Sequence, residues 1–267
     1  MVGGPDSGIG VLPGAGAGRP GTPATRDYGY GGYGGYGAYG ARPYGTYYAS
    51  DAALATQRNA VVASSAAYSS MMNPAMYAGA WQGANMMNPS MYANPGYGAV
   101  SGMMGLPAQP APYDYGGNVV SQGNAMYVNG DPAGTPQQYA QQAGQIAASG
   151  AGDPDANAAW QPLGVYAMVA SDQDKPNDLF QLAVNAQGQI RGNYHNIQSN
   201  ETTPVAGAVD RKSGRAAWTI GGDKTPTYEA GIANLTRDQS TMVVHTPDGQ
   251  QRQFNLIRLP DPKSAGQ

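Results

Sequence analysis

Histidine occurs twice, at His195 and His245, and glutamate twice, at Glu201 and Glu229, so imidazole chemistry or a paired general acid and base would rest on these four residues. His195 shares an alternating strand face with Arg191 and Asn193, and His245 lies opposite Met242 and Val244. Both read as solvated strand histidines. A Ser, His and Asp relay would need Ser171, Ser199, Ser213 or Ser240 beside one of them, and all four fall in or next to turns, where serine serves the backbone. Glu201 belongs to a loop and Glu229 to a strand beside Thr227, so nothing in the spacing pairs them. Asp172, Asp174 and Asp178 place three carboxylates within seven residues, a candidate for loose Ca²⁺ binding. The EF-hand ligand pattern is missing, and a solvated acidic loop is expected. Without cysteine there is no thiolate, disulfide or Cys-based zinc site, and no nucleophile elbow, P-loop or HExxH occurs. The expectation is a non-enzyme with no catalytic, cofactor-binding or metal-binding residues and no cofactor.

Partners are bounded by the same counts. A formal charge of −3 offers no basic footprint for phosphates, so nucleic acid is not an expected partner. No run of 18 apolar residues exists, which predicts no membrane span. The first 30 residues, beginning MVGGPDSGIGVLPG, have neither a basic nor an apolar leader segment.

The elements that must position these residues occupy less than half of the chain. Residues 1–150 carry only Arg19, Arg26, Arg42, Arg58 and five Asp as charges, whereas both Phe, both Glu, both His and every Lys lie beyond. Residues 28–48, YGYGGYGGYGAYGARPYGTYY, alternate eight Tyr with Gly and have no periodicity to offset backbone entropy, so disorder and weak multivalent stacking are expected there. Residues 51–68 are Ala-rich, with Leu54, Val61 and Tyr68 at seven-residue intervals, and predict a short helix. MMNPAMYA at 71–78 returns as MMNPSMYA at 86–93, a two-copy repeat that reads as low complexity or a soft Met-rich contact surface. Further on, AMYVNGDPAGT predicts a hairpin. Thr135, Pro136 and Gln138 then form a capping box for a helix over 136–148. The division is a mostly disordered arm at 1–117, a hairpin, helix and linker at 118–159, an antiparallel β domain at 160–260, and a tail at 261–267.

Eight strand-like runs follow: 163–169, 179–185, 189–196, 203–209, 215–220, 227–233, 240–246 and 250–259. Short turns join most of them and force antiparallel neighbours. Phe180, Leu182 and Val184, then Ile190, Gly192 and Tyr194, then Trp218 and Ile220, alternate with polar residues, so one face is core and the other wet. The predicted fold is mainly β: an eight-stranded antiparallel up-and-down meander closed or nearly closed into a small barrel, with one or two short helices in the arm. A two-sheet sandwich is the alternative, because the connections at 171–178 and 197–202 are longer. Glycines within strands, Gly164, Gly192, Gly207 and Gly231, read as bends or close approaches. QRQFNLIRLP is apolar on both faces, which calls for a bulge or for a helix of the arm covering its outer side.

WQPLGVYAMV, LFQLAVNAQGQIRGNYHN, PVAGAVDRKSGRAAWTIG, YEAGIANLTRDQST and NLIRLP, with MYVNGDPAGTPQQYAQQA upstream, resemble a family of planctomycete hypothetical proteins over residues 126–260. Some of these are labelled mu-protocadherin-like cell-surface proteins. The resemblance implies no activity and transfers no catalytic residue. Members commonly begin with a signal peptide, so it implies secretion or a cell-envelope location if the true start lies upstream of Met1. At fold level alone, NAQGQIRGNY, VAGAVD and AAWTIG are similar to the avidin-type barrel, although this domain has only Trp160 and Trp218 where such pockets use several tryptophans.

The expected function is a non-catalytic cell-envelope or secreted protein. Its β domain binds or builds, its partner is an unknown protein or cell-surface component, and its arm self-associates weakly. The alternative is a lipocalin-like or avidin-like carrier with Tyr166, Tyr194, Trp218 and Tyr228 lining the barrel interior. Limited proteolysis with mass spectrometry is expected to give a resistant core starting between about 118 and 160 and ending near 260. A resistant fragment spanning 28–100 would overturn the division.

Overall fold

The computed structural model describes residues 42–43, 51–65, 92–111, 113–222 and 226–261. The Tyr and Gly tract, apart from Arg42 and Pro43, and the Met-Asn-Pro repeat as far as Met91 lie outside the described residues, as does the tail beyond Asp261. In chain order the elements are β1 (Arg42–Pro43), α1 (Asp51–Ser65), α2 (Tyr97–Met104), β2 (Val119–Gln122), β3 (Ala125–Val128), β4 (Asp131–Pro132) and α3 (Pro136–Ser149). Eight long strands follow: β5 (Trp160–Val169), β6 (Asp178–Asn185), β7 (Gln189–Asn196), β8 (Glu201–Val209), β9 (Arg215–Ile220), β10 (Thr227–Gly231), β11 (Gln239–His245) and β12 (Gln251–Arg258). A 3-10 turn at Asn234–Thr236 links β10 to β11.

Each of the eight pairs antiparallel with its sequence neighbour, and β12 returns to pair antiparallel with β5, Asn255 opposite Val169 and Arg258 opposite Tyr166. This last ladder closes the sheet, so the protein is an eight-stranded up-and-down barrel and not a sandwich. Alternation supplies the lumen. Tyr166, Met168, Phe180, Leu182, Val184, Ile190, Val205, Trp218, Tyr228, Met242, Val244 and Leu256 are buried in one cluster. Val100, Met104 and Leu106, from α2 and the loop after it, join that cluster and plug one end.

The outer wall is not the solvated face that alternation suggests. Val61 of α1 packs on Val165, Ala167, Val169, Leu179, Ile257 and Leu259, so a helix of the arm covers the second apolar face of β12, and the β11–β12 register runs without a bulge. Gln57 fastens this helix: its amide donates to Ala170 O at 2.6 Å and its carbonyl accepts from Asn255 Nδ2 at 2.6 Å. Contacts with the barrel therefore begin within the low-complexity arm, upstream of the composition change. On the far side, α3 starts at the expected box, with Gln138 N donating to Thr135 Oγ1 and Thr135 N to Gln138 Oε1. Its Ala143 and Ala147 lie on Ala217, small residues that let helix and sheet approach closely. The β2–β3 hairpin and the tyrosines before it cover β11 through Val243. Among the described residues no helix is long and apolar enough to cross a membrane.

Gly164, Gly192 and Gly207 mark where the barrel admits no side chain. Gly164 sits at a register shift between Pro162 and Gly164 with φ +139°, and a Cβ there would collide with the Arg258 guanidinium. Gly207 faces Trp218 across the β8–β9 ladder, where a Cβ would lie 2.6 Å from Trp218 Cα. Gly207→Ala is expected to lower stability by about 1–3 kcal/mol through overpacking. Gly102→Ala, in the exposed interior of α2 with nothing within 4 Å, should raise it by up to about 1 kcal/mol. Paired thermal melts check both signs.

Candidate functional site

Strand pairing brings the four aromatic residues expected in the lumen onto one face. Tyr166 is paired with Phe180, Phe180 with Tyr194, and Trp218 with Tyr228. Phe180 is the hub: its ring centroid lies 5.4 Å from Tyr194, 5.7 Å from Trp218 and 5.1 Å from Tyr228. Trp218 and Tyr228 stack at 6.3 Å with an interplanar angle of 11°. These are attractive aromatic geometries that fill space. The single hydroxyl proton of Tyr166 is shared between Leu163 O and Leu235 O, and Arg258 covers the ring at 4.9 Å. Burial raises its pKa above the usual phenol value, partly opposed by Arg258. The Trp218 indole N–H is buried without a hydrogen-bond partner.

A second constellation lies on the outer wall, sealed beneath α3 and the residues before β2. Glu229 is fully buried. Its Oε1 accepts from Tyr115 OH at 3.0 Å, Tyr139 OH at 3.0 Å and Arg215 Nε at 2.7 Å. Its Oε2 accepts from Arg215 Nη2 at 2.9 Å and pairs with His245 Nε2 at 2.7 Å. Burial by itself would push this carboxyl up, but the Arg215 charge and the hydrogen bonds from His245 and Arg215 hold it down at about 2. Burial by itself would lower Arg215, but the Glu229 charge and hydrogen bond, together with Tyr139 and Tyr115, hold it above its ordinary value. It also donates to Gln142 Oε1 and Tyr139 O and stacks 3.7 Å over the Tyr139 ring. Burial and the Glu229 charge raise the Tyr139 hydroxyl.

Five donors on one carboxylate leave it no free lone pair, and a base held near 2 accepts protons poorly at neutral pH. The arrangement ties α3 and Tyr115 to the barrel wall. Beside it, an open recess of about 600 Å³ is lined by Tyr113, Val128, Ala133, Gln138, Gln142 and Arg215.

Several sequence expectations change here. His245 is buried, 4% exposed, since α3 and the tyrosine segment cover the face that alternation marked as wet. His195 is buried too, 2% exposed, with Nδ1 2.8 Å from Thr202 Oγ1, and burial lowers its pKa. His245 therefore has a buried polar partner, Glu229, whereas Thr202, the partner of His195, is exposed. Of the serines weighed for a relay, Ser213 donates to Asp210, Ser240 to Asn234 O and Ser199 to Glu201, so none of these three is aligned on an imidazole. Glu201 is exposed at the start of β8 and is not joined to Glu229. Asp178 leaves the acidic loop for the barrel end, where its Oδ1 accepts from Tyr194 OH at 2.6 Å and Asn196 Nδ2 at 3.1 Å. Burial pushes it up to about 6, with both hydrogen bonds opposing. Among the described residues no group of three His, Asp or Glu is placed to hold a metal ion, and nothing indicates catalysis.

The sequence held one unused clue to the Glu229 cluster. In the β9–β10–β11 register Glu229 sits opposite Ala217 and Val243, which puts Arg215 and His245 each two residues away on the same outer face. Strand register would have assembled these three. Tyr115 and Tyr139 come from segments whose docking no local pattern encodes.

Glu229 and Asp178 give opposite pH signatures. Glu229 falls from 4.5 to about 2 on folding, so its contribution is complete above pH 4.5 and disappears as pH falls toward 2. Asp178 rises from 3.8 to about 6, so stability is greatest below pH 3.8 and declines as pH climbs through 6. Each effect is on the order of 3 kcal/mol. In chemical denaturation across pH, Asp178→Asn is expected to remove the decline between pH 4 and 6. Glu229→Gln should lose about 3–5 kcal/mol at pH 7, by stranding Arg215, and flatten the acid limb.

No family model, no curated protein and no solved structure matches this chain.

Proposed function

We propose that the chain is a non-catalytic binding and structural protein of the cell envelope or cell exterior, with the barrel as its rigid module and the Gly, Tyr and Met-rich arm as a multivalent contact segment. The saturation of Glu229 carries this reading: the group best equipped for acid–base chemistry has both oxygens engaged by neighbours that lock helix to barrel. Among the described residues, the recess beside Arg215 is open to a partner. Placement at the cell exterior rests on the resemblance of residues 126–260 to planctomycete hypothetical proteins, some of them labelled cell-surface proteins. Multivalent tyrosine contacts give avidity without any single strong site.

A carrier of small ligands is the second reading, favoured by the unpartnered indole N–H of Trp218 among the lumen rings Tyr166, Tyr194 and Tyr228. Native mass spectrometry of the purified chain separates the two, giving the bare mass for the first and a retained small molecule for the second. The arm is tested by sedimentation velocity over a concentration series. The expected result is a sedimentation coefficient that rises with concentration, and that stays flat when the eight tyrosines of 28–48 are replaced by serine with the melting temperature unchanged. A chain monomeric at every concentration would overturn the arm's role.

A further inference from the structure

β12 has a complete neighbour on one side only. It pairs with β11 from Gln251 through Ile257, whereas β5 reaches only Asn255–Arg258. β5 ends at Val169, and Gln57 captures the next carbonyl, Ala170 O, directing the chain away from the ladder. The stretch Gln251–Phe254 is thus a short sheet edge beyond the reach of β5. The chain's own arm lies on this edge, with Arg42 opposite Gln253 and Pro43 opposite Arg252. Proline has no N–H and is tolerated in such an outermost strand. Next to the edge is a polar cleft of about 160 Å³ lined by Leu54, Tyr113, Arg237, Gln239, Gln253 and Asn255. Gln253 is 7% exposed, and its side-chain oxygen has no hydrogen-bond partner.

We infer that the Gln251–Phe254 edge is a strand-addition site whose occupant is the Arg42–Pro43 stretch of a second copy of this chain, exchanging with the copy's own. This deepens the proposed function, on which it rests, by giving the multivalent arm a docking surface. Main-chain pairing makes the same contacts whether the added strand comes from the same molecule or another, the condition under which arms exchange. A two-residue ladder is short enough to open and re-form, and the orphaned amide of Gln253 offers a further hydrogen bond to the incoming strand. Concentration then decides between internal and exchanged pairing.

The chain has no cysteine, so an Ala41→Cys variant takes a nitroxide at one place only. This labelled chain is mixed with unlabelled chain enriched in nitrogen-15, and amide intensities of the enriched copy are followed with concentration. The expected result is selective loss of intensity at Gln251, Arg252, Gln253 and Phe254, reversed by an excess of synthetic peptide covering residues 36–48. Loss confined to samples in which nitroxide and isotope share one molecule would show purely internal pairing and overturn the proposal. A sedimentation coefficient that rises with concentration while those four amides keep their intensity would overturn it and leave the multivalent arm standing. A flat sedimentation coefficient with no loss anywhere would overturn both.

Discussion

Four residue pairs between β5 and β12 decide the architecture. Without them the eight strands would form an open sheet with two bare edges and an apolar face too large for one layer to cover. With them the sheet becomes its own cover, and Phe180, Trp218 and Tyr228 meet at the centre because their strands are brought round to face one another. Arg258 reinforces the seam. Its guanidinium donates to Ala93 O, Leu163 O and Leu235 O, joining the loop before α2, β5 and the 3-10 turn at the point of closure. Gly164 is the complement of that arginine, since any side chain there would occupy the guanidinium's place.

The barrel was legible because its information is local. Strand period, turn residues and the inward series Phe180, Leu182, Val184 and Trp218, Ile220 each specify a neighbour, and consecutive neighbours add up to a meander. The capping box at Thr135 and Gln138 was legible for the same reason. What covers the outside was not. Val61 meets Ile257, and Tyr139 meets Glu229, across long stretches of chain. No period in α1 or α3 states which strand it will lie on. His195 and His245 therefore looked like solvated positions and are buried ones.

That difference matters for reading chemistry from residue types. A Glu, His and Arg set is the vocabulary of catalysis, yet here it does the work of a fastener. Buried ion pairs of this kind are poor sources of net stability compared with apolar packing, but losing one partner strands the other in a dry site. The cluster thus makes detachment of α3 costly while adding little to an already packed wall, a division of labour that favours one specific arrangement over looser ones. Asp178 is a different case. It has hydrogen-bond donors but no ion-pair partner among the described residues, and the fold tolerates its charge less well than its neutral form.

Closure by the last strand also sets an order of events during synthesis. On the ribosome, β5 and its immediate followers can zip into hairpins as they emerge, but the seam has to wait until β12 has been made. Until then the nascent sheet exposes the free side of β5 and an unsealed greasy interior. α1 precedes every barrel strand and can rest on β5 before β12 arrives, screening Val165 and Ala167 from unwanted neighbours, so the amino-terminal helix is well placed to chaperone its own molecule.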